Sequence, residues 1–129
     1  MKKRLYYLLV SIIILVGTST TYADELYRLR MFFGLSLPDG GGVSLEEWQS
    51  FQQDEIVKVF DGFNVVDSVG YYKGKPERSK VVTVIVDSKD ITKAKELASL
   101  YARKFKQDSV MIVQVPVTEW SFVDPDYKN

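Results

Sequence analysis

The sequence predicts an α+β fold of the ferredoxin-like type, with four antiparallel strands in one sheet and two helices on one face of it. Three observations support this prediction. One early segment alternates apolar and polar residues, two segments repeat apolar residues at helical spacing, and a β-branched run lies between those two. The elements follow the order β-α-β-β-α-β, the split β-α-β arrangement. With right-handed crossovers, this order places the strands as 4-1-3-2 across the sheet.

The first half of the chain begins with a strand and a helix. Leu26–Leu37 alternates between apolar and polar side chains, which is typical of a strand with one buried face. Pro38–Val43 is predicted to be a loop. Ser44 and Glu47 then match the S-x-x-E capping box, in which the two side chains bond to free N–H groups of the first helical turn. We therefore expect a helix from Ser44 to Phe60.

The second half of the chain supplies three strands and one helix. Phe63–Tyr72 is the second strand, and a tight turn joins it to Lys80–Asp87, a β-branched run typical of a central strand. Asp90 is a suitable N-cap for a helix over Ile91–Lys106, where apolar residues recur at helical spacing. Ser109–Val117 is the last strand. It contains a proline, which cannot donate to a neighbouring strand, so it is expected at an edge of the sheet.

Residues 1–23 are expected to be a secretory signal peptide rather than part of the fold. A basic start precedes an apolar run from Leu5 to Val16, and Thr21 and Ala23 are the small residues expected before a cleavage site. The alternative is an uncleaved membrane anchor, but the run is shorter than the ~20 residues that span a bilayer. This interpretation predicts a periplasmic or secreted protein with a single domain over residues 24–129.

The residue types limit the chemistry that is available. The chain has no Cys and no His, which excludes thiol nucleophiles, disulfides, the usual zinc ligands and histidine acid–base catalysis. We expect no metal and no organic cofactor. Without Lys2, Lys3 and Arg4, fourteen basic residues remain against seventeen acidic ones. This balance argues against a nucleic-acid partner, and membrane contact is expected only through an uncleaved leader.

The glycine-rich loop before the first helix is one candidate ligand site. Asp39, Gly40, Gly41, Gly42 and Ser44 stand beside the free N–H groups of a helix start, where glycines let the backbone approach a ligand. The loop matches neither nucleotide-binding glycine motif, and Asp39 would repel an anion. The alternative is a chain reversal followed by a capped helix.

The hairpin between the second and third strands is another candidate site. Tyr71, Tyr72, Glu77 and Arg78 bring together two phenols, a carboxylate and a guanidinium. A glutamate beside phenols can act as a base or hold a cation, and tyrosine rings pack on cations. The predicted topology brings the glycine loop, this hairpin and the turn with Asp108 to one end of the sheet. The alternative is an ordinary solvated hairpin.

The sheet face without helices is expected to be half apolar. It carries Arg28, Arg30 and Phe32 together with part of the run 81–86. Such a face on a small domain usually has a partner, so we expect a homo-oligomer, either a dimer or a trimer. The alternative is that the C-terminal tail, with the aromatic residues of Trp120–Phe122, folds across this face.

The sequence resembles a bacterial family of small exported proteins of unknown function. The stretch FFGLSLPDGGGVSLEEWQSF, residues 32–51, carries the F-G-L-S-x-P-D-G-G signature of that family and its following glutamate-tryptophan pair. The resemblance continues over residues 61–72, 77–86 and 101–113. Many relatives look like lipoproteins, whereas this chain has no cysteine to carry a lipid. The resemblance implies export and a single domain.

The chain is also similar, in the order of its features, to phage lyases that degrade S-adenosylmethionine. The shared features are glycine, tyrosine and glutamate before a V-x-V-x-V strand, an alanine-rich helix and a final apolar strand. Those lyases are ferredoxin-like oligomers with tyrosine and glutamate at a subunit interface. The likeness implies that Tyr71 or Tyr72 contacts the substrate's sulfonium and that Glu77 helps to hold the substrate.

Two main functions are therefore open at this point. The first is an exported ligand-binding or interaction module with a small cleft at the loop end of the sheet. The second is a metal-free lyase that acts on S-adenosylmethionine or a similar small substrate through tyrosine and glutamate at a subunit interface. A purely structural role in the cell envelope is a third alternative.

Overall fold

The sheet has the strand order and directions that the sequence predicts. The computed structural model describes residues 24–37 and 39–128. Its strands are β1 (Leu26–Gly34), β2 (Asn64–Tyr72), β3 (Lys75–Asp87) and β4 (Met111–Val117). Their order is β2-β3-β1-β4, and every neighbouring pair is antiparallel. The ferredoxin-like α+β fold is confirmed. The predicted signal peptide, residues 1–23, and Pro38 of the predicted loop lie outside the described residues.

The helical parts occupy the two positions that the pattern predicts. The first consists of α1 (Leu45–Phe51), a π-helical turn (Gln52–Ile56) and α2 (Val57–Val59), and the second is α3 (Ser88–Lys104). In the described parts of the chain, no helix is both long and apolar enough to cross a bilayer.

The π-helical turn explains why the apolar spacing of the first helix is irregular. Trp48, Phe51 and Ile56 are all buried, yet Phe51 and Ile56 are five residues apart, one more than a regular α-helical turn places on one face. The N–H of Val57 donates to the carbonyl of Gln52, five residues earlier. The wider turn absorbs the additional residue, so both side chains reach the core.

Helix α3 begins earlier than the sequence predicts. Asp87, the last residue of β3, is its N-cap: the Asp87 carboxylate accepts hydrogen bonds from the N–H groups of Lys89, at 2.9 Å, and Asp90, at 3.1 Å. The prediction of Asp90 as the cap is wrong. Asp90 lies in the first turn, where its carboxylate pairs with Lys93 at 3.0 Å. The sequence does not indicate this cap, because Asp87 is both the last residue of a strand and the N-cap of the helix that follows it directly.

The core lies between the helices and one face of the sheet. Leu29, Met31 and Phe33 of β1 are fully buried on this face. The largest buried side chains are aromatic, and their rings are 4.7 to 6.2 Å apart between centroids. Such pairs add about 0.5–1.5 kcal/mol each beyond the burial of their area. Among the described residues, every core residue and every apolar residue packed against the core lies within Tyr27–Ile112. A chain of residues 24–129 therefore contains all of the core that the structure describes.

Candidate functional site

A cleft of about 750 Å³ lies at the end of the sheet where three connections meet. It is bordered by the end of β1, by the β2–β3 hairpin and by the turn from α3 to β4. Five of the predicted site residues line it, namely Tyr71, Tyr72, Glu77, Arg78 and Asp108. The remaining lining residues are small, polar or apolar, namely Phe32, Gly34, Ser36, Leu37, Ser68, Gly70, Ser79, Gln107, Ser109 and Met111. The hairpin and the turn with Asp108 therefore border one cleft, as the topology predicts.

The hairpin directs its side chains to both sides of the sheet. Lys73 and Gly74 form its two-residue turn, and both have a positive φ, of 49° and 79°. Two positive φ values are typical of the type I′ turn, which matches the twist of the strands that it joins. Glu77 pairs with Gly70 across the strands. At Gly70, the position of a side chain is open space, so the Glu77 carboxylate borders free volume.

The tyrosine rings of the hairpin are available to a ligand. Tyr71 is 76% exposed and Tyr72 is 61% exposed. The ammonium of Lys73 already lies over the ring of Tyr72, 5.3 Å from its centroid. A cation is attracted to the face of such a ring by the quadrupole of its π system. The ring of Tyr72 can therefore attract a positively charged group, and Glu77 lines the same cleft.

The charges that line the cleft sum to one negative charge. Glu77 and Asp108 are the acidic residues of the lining, and Arg78 is its basic residue. Beside the cleft, the ammonium of Lys80 bonds to the carboxylate of Asp67, and this hydrogen bond lowers the pKa of Asp67. Within the described residues, no group of three or more acidic side chains could hold a metal ion. The cleft thus suits a ligand with more positive than negative charge.

Gln107 fixes the turn that carries Asp108. Gln107 is not among the residues that the sequence predicts for the site. Its side-chain amide donates to the carbonyl of Ser36 at 2.9 Å, which joins the turn to the chain just beyond β1. At Gly34, an added Cβ would lie 2.8 Å from the Gln107 side-chain oxygen. A glycine inside a strand is a signal for such a close approach. Gly34 is therefore the sequence feature that could have pointed to Gln107.

The glycine loop is closed upon itself by its own hydrogen bonds. The N–H of Leu37 donates to the carbonyl of Gly41 at 2.8 Å, and the N–H of Gly40 donates to the carbonyl of Leu37 at 3.0 Å. The carboxylate of Asp39 accepts from the N–H of Gly41 at 2.9 Å. None of Asp39, Gly40, Gly41 and Gly42 lines the cleft. The geometry favours the chain reversal that was the alternative interpretation.

Ser44 acts as the cap of α1. Its hydroxyl accepts from the N–H of Glu47 at 3.1 Å, and the Glu47 carboxylate accepts from the N–H of Ser44 at 3.3 Å. The predicted capping box is confirmed. The structure places Ser44 outside the cleft, and its hydroxyl already has a partner within the helix start. The structure thus shows Ser44 as the N-cap of α1.

A family model described as "Protein of unknown function (DUF3574)" matches residues 28–122. The chain belongs to DUF3574. This confirms the resemblance to a family of unknown function. The match spans the four strands almost completely, all of the cleft and the beginning of the tail. A search among the curated proteins finds no match.

Two solved structures are similar to this DUF3574 chain. A phage SAM lyase in complex with S-methyl-5'-thioadenosine is 20% identical, with a TM-score of 0.55 over 82% of this chain and 95% of that chain. A phage SAM lyase in the apo state is 17% identical, with a TM-score of 0.47 over 77% of this chain and 95% of that chain. At 20% identity, the likeness to the first of these structures shows a shared fold.

Proposed function

We propose that the protein is an exported module that binds a small organic cation in the cleft. One observation carries the proposal: two carboxylates, of Glu77 and Asp108, line the same cleft as the exposed rings of Tyr71 and Tyr72. Carboxylates form charge-assisted hydrogen bonds with cationic donors, and aromatic faces attract cations. The volume of about 750 Å³ also lies within the roughly 300–1,000 Å³ of small-molecule sites.

The charges narrow the ligand to a class. Arg78 is the cationic side chain among the lining residues, so a ligand that also carries one carboxylate fits beside it. Two positive groups would then face Glu77 and Asp108. S-adenosylmethionine has this pattern, with a sulfonium, an ammonium and a carboxylate. The fold shared with a phage SAM lyase supports this ligand class.

A lyase reaction on S-adenosylmethionine is the second candidate function, and the same fold likeness favours it. S-methyl-5'-thioadenosine is what remains when the bond between the sulfonium sulfur and the amino-acid carbon chain breaks. In an elimination, Glu77 as base takes a proton from the carbon next to the one that bears sulfur. A carbon–carbon double bond forms, and the electron pair of the broken bond stays with sulfur. The ring of Tyr71 or Tyr72 would face the sulfonium, and the step would take place at a subunit interface.

Calorimetry and product analysis with one preparation test both functions. The chain of residues 24–129 is titrated with S-adenosylmethionine and with S-methyl-5'-thioadenosine, and a parallel incubation is followed by chromatography. We expect Glu77→Gln to weaken binding about tenfold or more, because it removes one charge partner. Glu96→Gln is the matched control, because Glu96 is exposed on α3 and does not line the cleft.

The outcomes separate the two functions from each other. Release of S-methyl-5'-thioadenosine that stops in Glu77→Gln and continues in Glu96→Gln supports the lyase. Binding that depends on Glu77 without any turnover supports the binding module. If neither compound binds and neither is consumed, both proposals for this ligand class are wrong.

Export is part of the first proposal, and the basic start and apolar run of residues 1–23 support it. The expected result of N-terminal sequencing, applied to protein from the periplasmic fraction or the medium, is a chain that begins at Asp24. Full-length protein found only in the cytoplasm would contradict export. Such a result would favour the lyase, because its substrate is an intracellular metabolite, whereas an exported module would meet other cations of the class that S-adenosylmethionine represents.

A further inference from the structure

The sheet face opposite the helices carries apolar side chains around two arginines. Cross-strand pairing arranges this face in three rows, namely Val66, Val81, Phe32 and Met111; Asn64, Thr83, Arg30 and Val113; and Ile85, Arg28 and Val115. Met111 is 56% exposed and Ile85 is 45% exposed. Apolar side chains that lie together in this way form a patch, which usually marks an interaction surface.

The two arginines of this face lack an acidic partner within the part of the chain that the structure describes. Neither Arg28 nor Arg30 forms a salt bridge there. The guanidinium of Arg30 lies over the ring of Phe32 instead, 5.2 Å from its centroid. Two cations set among apolar side chains favour a partner that is itself apolar and acidic, because opposite charges fix the register of an interface.

The C-terminal tail, defined as residues 118–128, has these two properties. Trp120 and Phe122 stack edge to face with their centroids 5.2 Å apart, yet Phe122 is 91% exposed. Glu119, Asp124 and Asp126 make the tail acidic, against a single lysine. The Asp124 carboxylate accepts from the N–H of Asp126 at 2.8 Å, which forms a local turn. The family match extends to residue 122 and so includes both rings.

We propose that the tail of one copy of this chain lies across the open sheet face of a second copy, and that the two copies exchange tails reciprocally. The rings of Trp120 and Phe122 cover the apolar rows, and the acidic side chains face Arg28 and Arg30. The tail leaves the sheet at Val117, at the end of an edge strand, and the ring of Phe122 is 91% exposed on its own chain. A two-fold arrangement buries both faces and both tails with a single type of contact.

Phe32 and Met111 of this face also line the cleft. The mass of the chain in solution tests the exchange without any ligand, so it gives a result whether or not the cleft binds one. Residues 24–129 are examined by sedimentation equilibrium, and we expect a dimer. Phe122→Ser should weaken the dimer about tenfold or more, because it removes a large apolar side chain from the interface. Leu45→Ser is the matched control, because Leu45 is 64% exposed on α1, away from this face, and it should leave the dimer unchanged.

Charge reversal distinguishes exchange between copies from folding of a tail onto its own face. One chain carries Arg28→Glu and Arg30→Glu, and another carries Asp124→Lys and Asp126→Lys. Each alone should be monomeric, and an equimolar mixture should form a mixed dimer in which every tail meets a face of opposite charge. All of the substituted side chains are exposed, and circular dichroism verifies that both variants are folded.

Three results would overturn the exchange. The first is a wild-type chain that stays monomeric at about 100 µM, far above the Kd of a specific dimer. The second is a dimer that Phe122→Ser leaves intact. The third is a mixture of the two charge-reversed chains that remains monomeric while both are folded. If the arginine variant does not fold, the tail variants alone decide the question, because the tail lies outside the core.

Discussion

The phenol of Tyr101 donates a hydrogen bond to the backbone carbonyl of Gly34 at 2.6 Å. Tyr101 lies on α3 and is fully buried, whereas Gly34 is the last residue of β1 and lines the cleft. Burial, with a smaller contribution from the charge of Glu47, raises the pKa of Tyr101 above its ordinary value. The phenol therefore stays protonated and keeps its role as a donor. This hydrogen bond therefore connects a core side chain of α3 to a backbone group at the edge of the cleft.

Removal of this hydroxyl should destabilise the fold. Tyr101→Phe leaves the Gly34 carbonyl without its donor, so we expect the free energy of unfolding to fall by about 1–3 kcal/mol in urea titrations. Tyr71→Phe is the control, because Tyr71 is 76% exposed and its hydroxyl is not part of the core. Equal stabilities for the Tyr101 variant and the wild type would contradict the importance of this bond.

The raised pKa of Tyr101 predicts a loss of stability in alkali. Below the ordinary tyrosine pKa of 10.0, the phenol is protonated in both the folded and the unfolded chain, and its contribution is complete. Above that pH, Tyr101 ionises in the unfolded chain but not in the folded one. This ionisation stabilises the unfolded state and lowers the free energy of unfolding. Stability should therefore fall as the pH rises beyond about 10 towards the pKa of the folded state.

Unfolding in urea at a series of pH values measures this effect. The decline beyond about pH 10 should be steeper for the wild type than for Tyr101→Phe. All other side chains are the same in the two proteins, so the difference between the two curves reports on Tyr101. Parallel curves would show that Tyr101 does not titrate differently in the folded and unfolded chains.

The fold could be predicted because its signals are local. The alternation of Leu29, Met31 and Phe33 defined the buried face of β1, and chain order with right-handed crossovers then gave the sheet. The π-helical turn and the capping role of Asp87 could not be predicted in this way. The π-helical turn depends on how Phe51 and Ile56 pack in the core, and this packing is not a property of the local sequence.

The candidate site could be predicted only in part. The topology brought Glu77 and Asp108 to one cleft although they are thirty-one residues apart in the sequence. The glycine loop was predicted as a ligand site from its residue types. Residue types do not show that the N–H groups of Gly40 and Gly41 form hydrogen bonds within the loop. The position of Gln107 depends on a contact with the carbonyl of Ser36, seventy-one residues away. Gly34 indicates that some group approaches the end of β1 closely, but the sequence alone does not show that this group is Gln107.

The contact of Gly34 with Gln107 predicts a coupling between two substitutions. Gly34→Ala places a Cβ 2.8 Å from the Gln107 side-chain oxygen, so the amide must move, and we expect this movement to break its bond to Ser36. We expect Gly34→Ala and Gln107→Ala each to lower the free energy of unfolding by roughly 0.5–1.5 kcal/mol. The double variant should be little worse than either single variant, because both remove the same contact. Fully additive losses in urea titrations would contradict this coupling.

The capping box predicts a position-specific effect of serine. Ser44→Ala removes the acceptor for the N–H of Glu47, so it should lower the free energy of unfolding by about 0.5–2 kcal/mol. Ser50→Ala is the matched control in the same helix, where alanine is the better helix former and no loss is expected. Thermal unfolding of both variants measures the difference. If Ser50→Ala is as destabilising as Ser44→Ala, the cap is not the reason.

The glycine loop predicts a loss of stability without a loss of binding. Gly40 has a φ of 89°, a conformation that costs other residues about 1–2 kcal/mol, so Gly40→Ala should lower the free energy of unfolding by that amount. Gly62→Ala is the control, because Gly62 has an ordinary φ and open space around the added methyl group. Since the loop lies outside the cleft, Gly40→Ala should bind S-adenosylmethionine with the same Kd as the wild type. Calorimetry on the folded variant decides this, and binding that weakens while stability is unchanged would assign the loop to the site.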